Sequence, residues 1–220
     1  GGGGGEGGGG GASGGGASSS GAAAGGAGAG AAASGPIVFC VGGPGAGKTT
    51  VCRMLEEKYK ASYYAAGDLL RDEVKKGSEA GRRIAEMIKE GKIVPTQVTI
   101  DLFKEAISST PGPYLIEGFP RTLESLTTFE EQCGTCAALL FLDVTEEAMQ
   151  ERCMERGKAS GRTDDTAEVI ARRARTFKNQ SMPVVEALEG RGLLRKLDGS
   201  GDADAVFALA SAAFEPFAKS

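Results

Sequence analysis

The sequence predicts an α/β fold, with a five-stranded parallel sheet covered by helices on both faces. Three observations predict it. Five short apolar runs alternate with stretches of helical spacing, the pattern of parallel strands joined by crossover helices. The first apolar run leads directly into a glycine-rich segment and then a helix. Lys48, Asp68, Glu117, Arg121 and the residues after Asp198 all fall just past apolar runs. In open parallel sheets, ligands bind beyond those strand ends.

The first strand is 37–41, Ile-Val-Phe-Cys-Val. Gly42, Gly47, Lys48 and Thr49 then fit G-x-x-x-x-G-K-[ST], and Val51, Met54 and Leu55 open a helix. Strand, glycine-rich loop and helix are the context a phosphate-binding loop needs. Glycines let the backbone curl so that its N–H groups face phosphate oxygens, and the helix N-terminus adds partial positive charge there. Gly45, Ala46 and Gly47 would cradle the phosphates of a nucleoside triphosphate. Lys48 would reach the β- and γ-phosphates, and the hydroxyl of Thr49 or Thr50 would ligate Mg²⁺. The fold is therefore expected to be the three-layer fold of P-loop NTPases.

The remaining elements follow in order. A second strand is expected at 61–66 and a helix from Gly67. Another helix spans 78–90, with Ile84, Met87 and Ile88 on one face, and Gly91 stops it as a C-cap. Pro95 suits the first turn of a helix carrying Val98, Leu102, Phe103 and Ile107. Pro111-Gly112-Pro113 precedes a third strand at 114–116. A helix to about Gln132 and a fourth strand at 138–143 come next. Residues 145–156 are helical, 157–165 form a polar loop, and helices continue to Glu189. A last strand at 193–197 and a final helix after Asp202 complete the chain.

Residues 1–35 stand apart. They hold 19 of the 36 glycines, and the rest is Ala and Ser with one charge, Glu6. Such a stretch buries too little apolar surface to offset its ordering entropy, so it is expected to be a disordered tail. It has neither the regions of a secretory signal nor the arginines of a mitochondrial transit peptide. Residues 36–220 suffice for one domain.

Composition excludes several functions. With Glu6 set aside, 25 basic residues face 28 acidic ones, which gives no support for a nucleic-acid or anionic-membrane partner. No apolar run approaches the ~20 residues of a membrane span. There is no histidine, so Ser–His and Cys–His catalysis and histidine-containing zinc sites are out. The five cysteines include Cys133-Gly-Thr-Cys136, a C-x-x-C that follows a helical stretch and precedes a strand. A redox motif wants the opposite order, so reduced thiols in a cytoplasmic protein, with the nucleus also open, are expected.

Beyond the loop, four further motifs stand in order: Ala66-Gly-Asp-Leu-Leu-Arg71, Glu90-Gly-Lys-Ile-Val-Pro95, Gly118-Phe-Pro-Arg121 and Arg156-Gly-Lys-Ala-Ser-Gly-Arg-Thr-Asp-Asp165. With these the chain resembles the short-lid nucleoside monophosphate kinases, the group of the adenylate kinases and UMP/CMP kinases. The resemblance covers 36–217. It implies transfer of the γ-phosphoryl group of Mg·ATP to a nucleoside monophosphate, by a protein acting as a monomer. The acceptor phosphate is already ionised near neutral pH, so no general base is needed, which agrees with the missing histidine. Arginine suits the clamping because its planar fork pairs with phosphate oxygens and stays charged.

The resemblance also implies roles. Arg71 and Arg121 would hold the acceptor phosphate. Arg156, Arg162 and Arg173 would close over the transferring group, the latter two also contacting the acceptor. Arg152 would lie near the ATP end, and Gly201 would give a backbone contact to the adenine of ATP. Ala66, Lys92, Ile93, Val94, Gly118, Phe119 and Pro120 would surround the acceptor. Residues 66–95 would form the acceptor-binding helices and 156–165 the lid, which is short because five residues separate Arg156 from Arg162. Arg172 and Arg175 match no motif position and read as solvated charges.

Three departures bear on activity. Lys48-Thr49-Thr50 replaces the family's Lys-Gly-Thr, and Glu117 replaces an Asp that reaches the metal through water. Ser125 stands where adenylate kinases carry Gln and UMP/CMP kinases Asn. A short hydroxyl cannot make that two-point amide contact, so Glu124, Thr128 or a water is left to substitute. Ala66, Glu90–Pro95, Thr99-Ile100 and the run 151–158 lean towards UMP/CMP kinases. The sequence thus points to a UMP/CMP kinase, with an adenylate kinase or a low-turnover nucleotide-binding module as alternatives.

Overall fold

A computed structural model of the chain describes residues 33–160 and 166–219. Five strands, β1 (Ile37–Val41), β2 (Ser62–Ala65), β3 (Tyr114–Glu117), β4 (Cys136–Asp143) and β5 (Leu194–Asp198), form one sheet in the order β2-β3-β1-β4-β5. Every pairing is parallel. β1 is central and wholly buried, pairing Val38 with Leu115 on one side and Ala138 on the other.

Alternation along β1 separates two cores. Ile37, Phe39 and Val41 face a cluster containing Phe103, Phe119 and Phe129. Val38 and Cys40 face the other, with Leu55, Leu140 and Phe214. Phe39, Phe103 and Phe119 surround Phe129 at ring-centroid distances of 5.2, 5.9 and 5.4 Å, with edge-on or tilted geometry suited to aromatic quadrupoles.

The helices are α1 (Lys48–Tyr59), α2 (Ala66–Lys75), α3 (Glu79–Lys89), α4 (Thr96–Ser108), α5 (Leu123–Gln132), α6 (Glu146–Ser160), α7 (Ala167–Thr176), α8 (Met182–Gly190) and α9 (Ala203–Ala218). Local chemistry sets their ends. The Ser78 hydroxyl accepts the Gly81 N–H at the start of α3. At its end Gly91, at φ +68°, donates to the Ile88 carbonyl, and Lys92 donates to that of Met87. Asp202 caps α9 by accepting the Ala205 N–H.

The structure moves several boundaries, among them those of β2, which ends before Ala66, and of β4, which begins at Cys136. Pro95 is the N-cap of α4 rather than a first-turn residue. α6 runs through Gly157 to Ser160, where a loop was expected from 157; one helical glycine costs only about 1 kcal/mol, and good helix formers flank it. α7 and α8 are joined by a π-helical turn, Phe177–Ser181, closed by a bond from the Met182 N–H to the Phe177 carbonyl. The last correction concerns the tail. Ala33 donates to the Cys133 carbonyl at 3.0 Å and the Ser34 hydroxyl meets that of Tyr114 at 2.9 Å, so bonded structure begins before Pro36.

Candidate active site

Glycine places the phosphate loop against its neighbours. Gly45 sits at φ +77°, and a Cβ there would come within 2.6 Å of the Met149 carbonyl oxygen and 2.9 Å of Cys153 Sγ. Gly47, at φ +87°, is the N-cap of α1 and offers no side chain to it. The first helical bond runs from Val51 to the Gly47 carbonyl. The amides of Lys48, Thr49 and Thr50 are thus left without an intrahelical acceptor, and no acidic residue stands in the first turn. That is the electrostatics of an anion site.

The loop opens into a crevice of about 550 Å³. Gly45, Gly47, Lys48, Thr49 and Thr50 line one end, and Ala66, Arg71, Lys92, Ile93 and Val94 the other. Glu117, Gly118, Phe119, Arg121, Ser125, Arg152, Arg156 and Arg173 also line it. Pro120 lines a small adjoining cavity with Gly42, Arg121 and Arg173. Ala46 is buried behind the loop, and Gly201 sits exposed between β5 and α9; neither lines the crevice. Arg162 lies outside the described residues.

Seven of the cations expected from the sequence therefore share one cavity. The Lys48 ammonium donates to the carbonyls of Gly42 at 3.0 Å and Gly43 at 2.8 Å. Burial pulls its pKa below the ordinary value, the Glu117 charge opposes this, and nearby Arg173 and Arg121 lower it further. Arg121 is held from several sides. Its Nε donates to the Gly118 carbonyl at 3.0 Å, and its own carbonyl accepts the Ser181 hydroxyl at 3.1 Å. Ser181 reaches it from the π turn, a feature often found at functional sites. Arg71 pairs with Asp68 at 2.6 Å, and Arg152 donates to the carbonyls of Gly199 and Ser200. Cations gathered this way repel one another until a polyanion enters.

Glu117 ends β3 beside Cys40 and Ala65 in the register, and it is only 8% exposed. One carboxylate oxygen accepts the Thr49 hydroxyl at 2.9 Å, and the other accepts the hydroxyl of Tyr63. Burial and the Glu117 charge raise the Tyr63 pKa, so that phenol stays a donor. Sequence reasoning missed Tyr63; a tyrosine on a buried strand position, whose hydroxyl wants a partner, was the available signal.

No group of three or more Cys, Asp or Glu able to hold a metal ion occurs among the described residues. The donor set nevertheless fits Mg²⁺, which keeps several waters and takes one or two protein oxygens besides phosphate. The Glu117 carboxylate and the Thr49 hydroxyl are such hard donors, adjacent and facing the loop. Thr50 also lines the crevice.

Ser125 stands at the crevice, as the sequence puts it. Its hydroxyl, however, closes the start of α5: it accepts the N–H of Thr122 at 3.0 Å and donates to that residue's carbonyl at 2.8 Å. Neither proposed substitute lines the cavity. Glu124 is exposed, and Thr128 donates to the Glu124 carbonyl at 2.9 Å. The Cys133–Cys136 pair is buried, and burial pushes the two thiols up to about 11 and about 12, which suits inert thiols rather than a redox couple. No helix among the described residues is long and apolar enough to cross a membrane.

Comparison with known proteins agrees with this geometry. A family model for adenylate kinase matches residues 40–193. The UMP-CMP kinase of Lentinula edodes is 43% identical over 178 residues, covering 74% of this chain and 78% of that protein. UMP-CMP kinase 3 of Oryza sativa subsp. japonica is 42% identical over 185 residues, with 83% and 87% covered. Adenylate kinase isoenzyme 1 of Homo sapiens is 38% identical over 174 residues, with 78% and 90% covered. A parallel sheet with a phosphate loop after its first strand, a crevice collecting seven cations, and these matches together place the chain in the adenylate kinase family of nucleoside monophosphate kinases.

Proposed function

We propose that this kinase phosphorylates UMP and CMP with Mg·ATP. The observation that carries the reading is the crevice itself. Lys48, Arg121 and Arg173 stand close together between a phosphate loop at one end and Ala66 with Lys92–Val94 at the other. Two phosphorylated ligands can thus meet end to end around one cluster of positive charge. Ala66 and the motifs noted above favour a pyrimidine acceptor. AMP remains the second reading, because relatives named for either activity match this chain to a similar degree.

The chemistry follows from positioning and charge. The loop amides and Lys48 hold the ATP phosphates, while Arg71 and Arg121 hold the acceptor phosphate. Arg156, Arg162 and Arg173 neutralise charge on the group in transfer, and Arg152 with Gly201 serves the adenine end. Thr49, Thr50 and Glu117 would hold Mg²⁺, which supplies charge neutralisation on the phosphates when bound. The acceptor phosphate is itself the nucleophile, so no side chain need accept a proton. Catalysis is alignment in a water-poor site, with 66–95 and 156–165 closing over the ligands. We further propose a cytoplasmic monomer whose glycine-rich N-terminal stretch takes no part in turnover.

The test is ADP release with Mg·ATP and UMP, CMP, dCMP or AMP in separate reactions. Fast turnover with UMP and CMP and slow turnover with AMP is the expected result. Preference for AMP would make the chain an adenylate kinase in activity. ATP binding without turnover on any acceptor would favour a binding module.

A further inference from the structure

The acceptor base needs a polar partner, and Ser125 is not free to be one. A hydroxyl has one proton to donate and two lone pairs. The Ser125 oxygen accepts the backbone N–H groups of Arg121 at 3.1 Å and Thr122 at 3.0 Å, and its proton goes to the Thr122 carbonyl. All three capacities are in use. The residue is 4% exposed and fixed in the first turn of α5. Breaking those bonds to serve a base would uncap the helix and release the backbone of Arg121.

Thr99 is differently placed. It lies in the second turn of α4, is only 6% exposed, and lines the crevice with Ala66, Leu70, Val94 and Ser125. Its hydroxyl makes no hydrogen bond to any described residue. No fully enclosed side-chain oxygen or nitrogen among the described residues lacks a partner, so this hydroxyl is reached from the cavity. A threonine otherwise buried, with its one polar atom left for the cavity, is what a site for a polar ligand edge requires.

We propose that Thr99, not Ser125, is the side chain that reads the acceptor base, an assignment that rests on the pyrimidine reading above. A hydroxyl rotates, whereas an amide presents donor and acceptor at fixed ends. Thr99 can therefore donate to the exocyclic carbonyl of uracil and accept from the exocyclic amino group of cytosine. One residue then serves both bases with one bond each. Removing the hydroxyl should weaken both to a similar extent, unlike a fixed donor or acceptor, whose loss would fall on one of them.

The test compares Thr99→Val, Thr99→Ser and Ser125→Ala in the full chain, measuring KM and kcat for UMP, CMP and AMP, KM for ATP, and Tm. Valine keeps the volume and removes the hydroxyl. We expect Thr99→Val to raise KM for UMP and CMP about 5- to 10-fold, the size of one lost hydrogen bond, with KM for ATP unchanged. Thr99→Ser should stay within about twofold of the parent. Ser125→Ala should lower Tm through loss of the helix cap and, by loosening Arg121, should raise KM for UMP, CMP and AMP by one common factor. An unchanged acceptor KM in Thr99→Val, or a rise in Ser125→Ala confined to UMP and CMP, would overturn the assignment. Should the parent prefer AMP, the pyrimidine reading fails on its own. The Thr99 assignment is then judged on KM for AMP, where a rise supports it and no change overturns it.

Discussion

The two ends of the crevice are built on different foundations. At the phosphate-loop end, β1 and β3 are buried along their whole length between two extensive clusters that meet on the sheet. At the acceptor end, α2 reaches the large core only through Ala66 and Leu69, and α2 and α3 otherwise rest on a small cluster, Leu70, Ile84 and Val94, finished by the half-buried Val74, Met87 and Ile88. Most charged pairs on these two helices are exposed i,i+3 or i,i+4 contacts, each worth well under 1 kcal/mol. The difference teaches how one cavity can bind a donor in a fixed seat and still admit and release an acceptor. Elements with few buried contacts open at low free energy, while sheet cores open only with the whole domain.

The largest effects should come from the charged side chains at the junction. Lys48→Ala and Arg121→Ala should each lower kcat by about 100- to 1000-fold, the scale of a lost transition-state donor, while circular dichroism and Tm stay close to the parent. Retained turnover in either variant would break the assignment of the fixed seat. Next come the two cores. Phe129→Ala should destabilise by about 3–5 kcal/mol in urea unfolding, because three aromatic rings pack around it. Ile84→Ala should cost about 2 kcal/mol and should raise the acceptor KM. Equal losses of stability would erase the contrast between the two foundations.

Tyr63→Phe tests the link between sheet and metal site. It removes a hydrogen bond to a buried carboxylate, worth about 1.5–3 kcal/mol, and leaves Glu117 held by Thr49 alone. The affinity gained by ATP on adding Mg²⁺ should shrink in this variant, while ATP affinity in EDTA should not. A smaller effect should come from the fork between Arg191 and Glu130, at 2.8 and 2.9 Å. Burial alone would raise the Glu130 pKa, but the Arg191 fork and the Cys136 N–H outweigh it and hold the carboxyl below its ordinary value of about 4.5. A depressed folded pKa contributes stability that is complete above the ordinary value and lost as pH falls through the depressed one. Arg191→Ala should therefore cost about 1 kcal/mol at pH 7 and progressively less below about pH 4.5, read from unfolding at a series of pH values.

What could be read from the sequence divides along similar lines. β1, the phosphate loop and α1 were legible because strand, glycines and helix are adjacent in the chain and each local signal agrees with its neighbours. Ile84, Met87 and Ile88 showed the buried face of α3 for the same reason. Tyr63 was not legible as a partner of Glu117, since the pairing of β2 with β3 brings together residues 54 apart. The continuation of α6 past Gly157 was missed because glycine reads as a stop, although one glycine is too weak to end a helix of strong formers. Counting from Arg121 put Ser125 in the crevice, which it lines, but could not show that its hydroxyl is taken up by the helix start. Thr122 and Ser125 in fact form a capping box, a local pattern that was present in the sequence and competes directly with ligand binding.

The contrast between fixed and yielding ends is tested most directly by amide hydrogen exchange, with and without Mg·ATP plus UMP. Amides of α2 and α3 and of residues 91–94 should exchange quickly in the free protein and become strongly protected with both nucleotides. Those of β1 and β3 should be protected in both states. If α2 and α3 are already as protected as β1 in the free protein, the acceptor end is not the yielding one.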